Sequence, residues 1–396
     1  MPIVFVHGVG TRRGTGKAYD RRVAARTALL RRFLGPTLGL DPKSTRVFNP
    51  YWGSEAATFR WDHASLPGPD VEAFGAPDDP TSSDGVLAEA ALTAWEEPPP
   101  PDRTLLATAR MSAPAAVDLL WTVASEVEWI DSADVDSLAG FAYEASRWAD
   151  GVRATDLIDV GNDPALFGRI VEAVERADAA AGDTESFGVR EATVVLREAL
   201  DRIRTAGPRF TSAVAGSVLR RRVHTGVATF MGDVLAYLRQ REQSGADGPI
   251  ASTVTADLRQ AHDARTDADP HVVVVAHSMG GNIVFDLLSH LRPDLSCDVL
   301  VTVGSQVGLF AELDLLPAVA APAVAARDRS PRPASIGRWL NVFDECDVLS
   351  FAASGVFSGV DDFAYSTGYG LLKAHSSYFV RPSFFRRLGA RLEGGA

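Results

Sequence analysis

A serine between very small residues is the strongest chemical signal in this sequence. The segment Ala276-His277-Ser278-Met279-Gly280-Gly281 follows the β-branched run Val272–Val275 and precedes an amphipathic helical pattern. Such a run is typical of a parallel strand covered on both faces. A tight strand-to-helix turn needs small residues two before and two after its apex, and Ala276 and Gly280 meet that need, although glycine is usual at both positions. The pattern predicts that Ser278 is a nucleophile at the positive end of a helix; the alternative is a purely structural turn.

A second signal follows the first predicted strand, at Val6-His7-Gly8-Val9-Gly10. Acyl transfer develops negative charge on an oxygen, which two converging backbone N–H groups can stabilise. We expect one donor from Met279, directly after the serine, and the other from Val9. The alternative is an ordinary turn at the end of a strand. His7 is expected to brace this loop and not to accept protons.

A nucleophilic serine also needs a base, and the base needs a carboxylate to orient it. His375 is the single histidine beyond residue 290, so a chain order of serine, acid and histidine leaves it as the candidate base. The acidic residues Asp344, Glu345 and Asp347 follow the strand pattern that ends at Phe343, and each could orient the imidazole. We prefer Asp347, with Asp344 as the next choice.

Strand and helix patterns alternate at both ends of the chain and enclose a helical block. Strands are predicted at 2–6, 46–51, 271–276, 299–303 and 338–343, and helices at about 18–34, 227–241, 252–265 and 279–291. Residues 62–103 are rich in Pro, Gly, Asp and Ser and predict an irregular acidic connection. Residues 104–225 are almost entirely helical in pattern, with one helix capped by Asp163 ahead of Pro164.

This alternation predicts one α/β domain that carries a large helical insertion. The expected organisation has three segments. Residues 1–53 form the first part of the core, residues 54–225 form the acidic connection and the helical insertion, and residues 226–396 form the second part of the core.

The composition argues against several other functions. The chain has 396 residues with 51 acidic and 39 basic side chains, a formal charge of −12, so phosphate backbones are repelled and no nucleic-acid partner is expected. With two cysteines and no suitable histidine spacing, neither a metal nor a cofactor is expected. The segment 14–17 is not a phosphate-binding loop, because Thr11 and Ala18 stand where glycine and Ser or Thr are required.

No segment provides the roughly 20 apolar residues that a membrane-spanning helix needs. The N-terminus reads directly as a strand and has no basic leader, so a secretory signal is not expected. We therefore expect a cytoplasmic protein without an integral membrane segment. Its oligomeric state is left open.

These motifs together resemble the α/β-hydrolase superfamily, in particular compact lipase- and esterase-like members whose first strand leads into a His-Gly oxyanion loop. The resemblance covers roughly 1–53 and 226–385 but not the middle, and the matching segments are Val4–Gly10, Tyr51–Gly53, Gly232–Val234, His271–Gly281, Val303–Ser305, Asn341–Val348 and His375–Tyr378. It implies an α/β-hydrolase fold with a mostly parallel central sheet. The middle block occupies the place where such enzymes often carry a cap or lid.

The resemblance also implies roles for the residues singled out above. Ser278 would be the nucleophile, His375 the base, Asp347 the orienting acid, and Val9 and Met279 the oxyanion donors. The expected function is that of a serine hydrolase cleaving carboxylic esters, with hydrophobic acyl or lipid-like esters favoured because the apolar helical insertion could shape the cleft. A thioesterase, an amidase or an acyltransferase would use the same residues, and a non-catalytic interaction protein that retains the fold is the alternative of another class.

Overall fold

A parallel sheet forms the centre of the part of the chain that holds the predicted site. The computed structural model describes residues 2–14, 16–37, 39, 41–65, 102–124, 132–181, 188–205, 214–267, 270–319, 329–368 and 374–393. Most of the acidic connection predicted at 62–103 lies outside these residues, from 66 to 101.

Eight strands are present in the described residues: β1 Ile3–Val6, β2 Val47–Phe48, β3 Val273–His277, β4 Cys297–Val303, β5 Ser330–Pro331, β6 Ile336–Phe343, β7 Phe357–Ser358 and β8 Val360–Ala364. Six of them form one sheet in the order β2-β1-β3-β4-β6-β8, and each neighbouring pair is parallel. Strands β5 and β7 form a separate two-stranded sheet. The predicted α/β class is confirmed.

Strand β3 lies inside this sheet, between β1 and β4, and its valines are completely buried, as the all-valine run predicts. Val273, Val274 and Val275 have no exposed surface, and each such side chain contributes about 1.5–3 kcal/mol of hydrophobic stabilisation. In the register, Ala276 is paired with Val6 on one side and Thr302 on the other. The carboxyl ends of β1, β3 and β4 therefore lie at one edge of the sheet.

The helices in chain order are α1 Ala18–Thr37, α2 Thr104–Met111, α3 Ala113–Ala124, α4 Ser132–Gly151, α5 Asp163–Ala181, α6 Val189–Thr205, α7 Val214–Ser244, α8 Pro249–Asp263, α9 Met279–Asp286, α10 Val307–Glu312 and α11 Pro382–Glu393. A single π-helical turn, Leu287–Leu291, extends α9. Within the described residues, none of these helices is long and apolar enough to cross a membrane.

The chain divides into two compact units. The sheet unit consists of Met1–Arg13, Arg46–Trp95 and Phe210–His375, and the helical unit consists of Gly14–Thr45, Glu96–Arg209 and Ser376–Ala396. Helices α1 and α11 thus belong to the helical unit, where each packs against the other and against α4. In the three-segment organisation predicted from the sequence, both of these helices fall in the core.

The start of α5 differs in detail from the prediction. The helix begins at Asp163, but its capping side chain is Asn162, which accepts the N–H of Ala165 at 2.9 Å. The Asp163 carboxylate is completely buried and instead accepts the N–H groups of Leu105 and Leu106 at the first turn of α2. A carboxylate is well suited to that place because the first N–H groups of a helix lack intrahelical acceptors.

Candidate active site

Ser278 occupies a strained turn between strand β3 and helix α9. Its backbone has φ +54° and ψ −130°, a region that residues with a side chain rarely adopt. The strand ends at His277 and the helix begins at Met279. The position of Gly280 requires a residue without a side chain, since a Cβ there would lie 2.6 and 2.7 Å from the carbonyl oxygens of Val6 and His7.

Two contacts from the next loop hold the backbone of this serine. The N–H of Ser278 donates to the carbonyl of Val303 at 2.9 Å, and the Ser305 hydroxyl donates to the carbonyl of Ser278 at 3.0 Å. Both partners lie at the end of β4, the neighbour of β3. Tertiary contacts therefore maintain a conformation that costs on the order of 1–3 kcal/mol locally.

The structure brings His375 and Asp347 together with Ser278. The Oγ of Ser278 lies 2.8 Å from Nε2 of His375, and Nδ1 of His375 lies 3.0 and 2.9 Å from the two carboxylate oxygens of Asp347. A carboxylate only accepts, so this arrangement assigns the proton to Nδ1 and leaves the lone pair of Nε2 facing the serine hydroxyl. The Asp347 side chain has no exposed surface, whereas the imidazole is 18% exposed.

The other two acidic candidates do not contact His375 in this structure. Asp344 is buried and accepts from the N–H and hydroxyl of Thr367, both at 2.7 Å, and from the N–H of Cys346 at 2.9 Å. Glu345 is exposed. Asp344 thus braces the loop after β6, and Asp347 is the carboxylate that this loop directs at the histidine.

The two ring nitrogens of His7 contact the backbone of its own loop and that of Trp52. Nδ1 lies 2.8 Å from the carbonyl of Gly8, and Nε2 accepts the N–H of Trp52 at 3.2 Å. The Trp52 indole donates to the carbonyl of His7 at 2.8 Å and stacks on the imidazole at a centroid distance of 4.7 Å. With Nε2 accepting, Nδ1 carries the proton, so this geometry favours a bracing role for His7.

The two predicted oxyanion donors are the backbone N–H of Met279, which follows Ser278 in the chain, and that of Val9, which belongs to the loop that passes against Ser278. Met279 has the first N–H of α9, which has no acceptor in its own helix. The N–H of Val9 belongs to the same peptide unit as the carbonyl of Gly8, which is held by His7 and by the Thr11 hydroxyl at 3.2 Å. A Cβ on Gly8 would lie 2.6 Å from the Cβ of Ser278, so this loop passes directly against the serine.

Two residues that hold the backbone around His375 and Asp347 were not predicted from the sequence. Nε2 of His277 lies 2.8 Å from the carbonyl of His375, and the two rings are 4.9 Å apart. Gln306 donates to the carbonyls of Gly304 and Leu349, and the N–H of Leu349 in turn donates to Asp347 at 3.0 Å. The sequence predicts no role for His277, and no local signal marks Gln306.

No family model matches the chain, and neither a curated protein nor a solved structure is significantly similar to it. The described residues contain no cluster of three or more His, Cys, Asp or Glu side chains arranged to hold a metal ion. The case for a function therefore depends on the geometry around Ser278.

Proposed function

We propose that this protein is a serine hydrolase of the α/β-hydrolase fold that cleaves carboxylic esters. One observation carries the proposal. A serine hydroxyl in a strained strand-to-helix turn lies 2.8 Å from the Nε2 of a histidine whose Nδ1 is held by a buried carboxylate. This is the arrangement of nucleophile, base and orienting acid that acyl transfer requires.

The proposed reaction has two halves. The Oγ of Ser278 attacks the ester carbonyl while Nε2 of His375 accepts its proton, and the resulting imidazolium donates that proton to the departing alcohol. The acyl group remains on Ser278 as an ester. Water then gives a proton to His375 and attacks the acyl carbon. As the second tetrahedral intermediate collapses, the imidazolium returns that proton to the Oγ of Ser278, and the acid is released.

Two groups of this chain would stabilise the charges that appear during the reaction. The Asp347 carboxylate faces the ring that becomes positive. The N–H groups of Met279 and Val9 would donate to the oxyanion, and loss of one such donor in another hydrolase costs about 3 kcal/mol of barrier. The positive φ of Ser278 keeps its side chain at the edge of the sheet. The segments that hold Met279 and Val9 both start at this edge.

A fluorophosphonate probe tests the nucleophile, with labelled peptides identified by mass spectrometry. We expect one label on Ser278, no label in Ser278→Ala, and wild-type labelling in the control Ser252→Ala, which alters a serine on α8. A folded wild-type protein that is neither labelled nor active on esters would contradict the proposal. That result would favour the non-catalytic interaction protein instead.

The substrate class within acyl transfer needs a separate measurement. We propose that the substrates are hydrophobic acyl or lipid-like esters, because the helical insertion is apolar in composition. Turnover of p-nitrophenyl esters from acetate to palmitate should rise with acyl length, and Ser278→Ala should remove it throughout. Faster turnover of matched thioesters would indicate a thioesterase, and transfer to an added alcohol in preference to water would indicate an acyltransferase.

A further inference from the structure

We infer that Asp233 is a positioning residue that fixes the loop His7–Arg12, and through it the oxyanion donor Val9. This inference rests on the proposed function and adds to it a residue for which the sequence suggested no role. Asp233 lies on helix α7, 223 residues from the glycine that it binds. Its carboxylate links this helix to the loop through hydrogen bonds.

The Asp233 side chain is completely buried and accepts from three neighbours. One oxygen accepts the N–H of Gly10 at 2.8 Å and a nitrogen of Arg12 at 3.1 Å, and the other accepts the N–H of Ala57 at 3.1 Å and the second Arg12 nitrogen at 2.5 Å. A buried carboxylate needs such donors, because an unpaired buried charge is strongly unfavourable. Two of the three neighbours belong to the loop His7–Arg12.

Hydrogen bonds hold the loop on both sides of Val9, and Asp233 makes the one that follows it. The peptide before Val9 is held at its carbonyl end, since His7 and Thr11 bind the oxygen of Gly8. The peptide after Val9 is held at its N–H end, since Asp233 binds the nitrogen of Gly10. With both flanking peptide planes anchored, the direction of the Val9 N–H is determined. Gly10 adopts φ +70°, which glycine tolerates without strain.

A second buried ion pair provides a matched control. Asp286 is 1% exposed and accepts from Arg241 at 3.1 Å and from the Tyr237 hydroxyl at 2.7 Å. Arg241, like Asp233, belongs to α7, but these two hydrogen bonds of Asp286 do not involve the loop His7–Arg12. A general effect of weakening a buried aspartate on this part of the fold would therefore appear in Asp286→Asn as well.

Asp233→Asn is a sharp perturbation because it preserves volume and removes one acceptor. In either orientation the amide NH₂ group faces a backbone N–H, that of Gly10 or of Ala57, together with one nitrogen of Arg12. Arg12→Gln removes the ion pair but leaves the bond between Asp233 and Gly10. Asp233→Asn thus places donors against donors in both orientations, whereas Arg12→Gln leaves both backbone N–H groups with their carboxylate acceptor, so we expect the first variant to displace the loop more than the second.

The test is steady-state hydrolysis of a short p-nitrophenyl ester, with kcat expressed per serine titrated by fluorophosphonate and folding checked by thermal unfolding. For Asp233→Asn we expect kcat to fall by about 100-fold with KM changed by less than about 3-fold, because a displaced donor costs the transition state more than the bound substrate. Arg12→Gln should lose about 10-fold in kcat. Asp286→Asn should retain the wild-type kcat per titrated serine.

The outcomes distinguish this inference from the proposed function. Wild-type protein without labelling or turnover would remove the proposed function itself. An active wild type whose Asp233→Asn variant keeps its kcat, or loses no more than Asp286→Asn, would overturn the positioning role alone. If Asp233→Asn does not fold, Arg12→Gln decides the matter, and an unchanged kcat in that folded variant would overturn the role.

Discussion

Replacing Asp347 by asparagine should disable the base while preserving the shape of the site. In the structure one carboxylate oxygen of Asp347 accepts both the N–H of Leu349 and the Nδ1–H of His375, and the other oxygen also lies within hydrogen-bond distance of Nδ1. In Asp347→Asn the amide oxygen would keep the bond to Leu349, and its NH₂ group would donate to Nδ1. The imidazole proton would then move to Nε2, which would donate to Ser278 and could no longer accept from it.

The magnitude follows from the geometry. The imidazole is 18% exposed and Asp347 is buried, so an effective dielectric constant of about 20 applies, and opposite charges about 4 Å apart attract by about 4 kcal/mol. The wrong tautomer adds about 1 kcal/mol or more, by analogy with a lost hydrogen bond. A total of about 5–6 kcal/mol corresponds to a loss in kcat of about 10⁴-fold.

The assay is hydrolysis of a p-nitrophenyl ester by Asp347→Asn, with Asp344→Asn as the matched control. Asp344 is equally buried, but its contacts are with Thr367 and Cys346. We expect the control to lose less than about 10-fold in kcat, because it weakens a loop and leaves the imidazole oriented. If Asp344→Asn proves the more damaging substitution, the assignment of the acid is wrong.

Three further predictions concern stability, measured by chemical denaturation. The free energy of unfolding of Ser278→Gly should be about 1 kcal/mol higher than that of Ser278→Ala, because glycine adopts a positive φ without strain. Both variants should be inactive, and equal stabilities would refute the strain. Gly280→Ala should lower the free energy of unfolding by about 1–3 kcal/mol, because the added methyl group would meet two backbone carbonyls. Gly168→Ala, where the methyl group enters open space on α5, should raise it by about 0.5–1 kcal/mol. The reverse order of stabilities would contradict the packing. Asp163→Ala should cost about 2–3 kcal/mol, since it leaves two buried N–H groups without their acceptor, and a loss below about 0.5 kcal/mol would exclude that role.

The elements with strong local patterns could be predicted from the sequence. The valine run before Ser278 forms β3, and the small residues after it allow the turn into α9. These features depend on neighbours in the chain, whose burial and steric demands are visible in the residue types. Strand β8 was missed because its sequence, Val-Asp-Asp-Phe-Ala, has neither an apolar run nor a clean alternation, and Asp362 holds the nearby backbone of Ala353 and Ser354.

The choice among acidic residues shows a different limit. Asp344, Glu345 and Asp347 follow the same strand within four positions, and each has a carboxylate that could reach a histidine. The difference between them comes from the direction in which the loop turns, which depends on Thr367 and Gln306 from other parts of the chain. Asp163 is a similar case, since its carboxylate caps a helix that precedes it by almost sixty residues.

The features that could be predicted from residue types are therefore local: most of the strands and helices that form the site, and the side chains at their ends that carry suitable chemistry. The pairings between distant residues became visible in the folded chain, such as Asp233 with Gly10, Gln306 with the loop that holds Asp347, and His277 with the carbonyl of His375. The physical reason is that residue type and periodicity report on burial and backbone preference. A hydrogen bond between distant segments depends on distances within an ångström, and those are set by the packing of the whole unit.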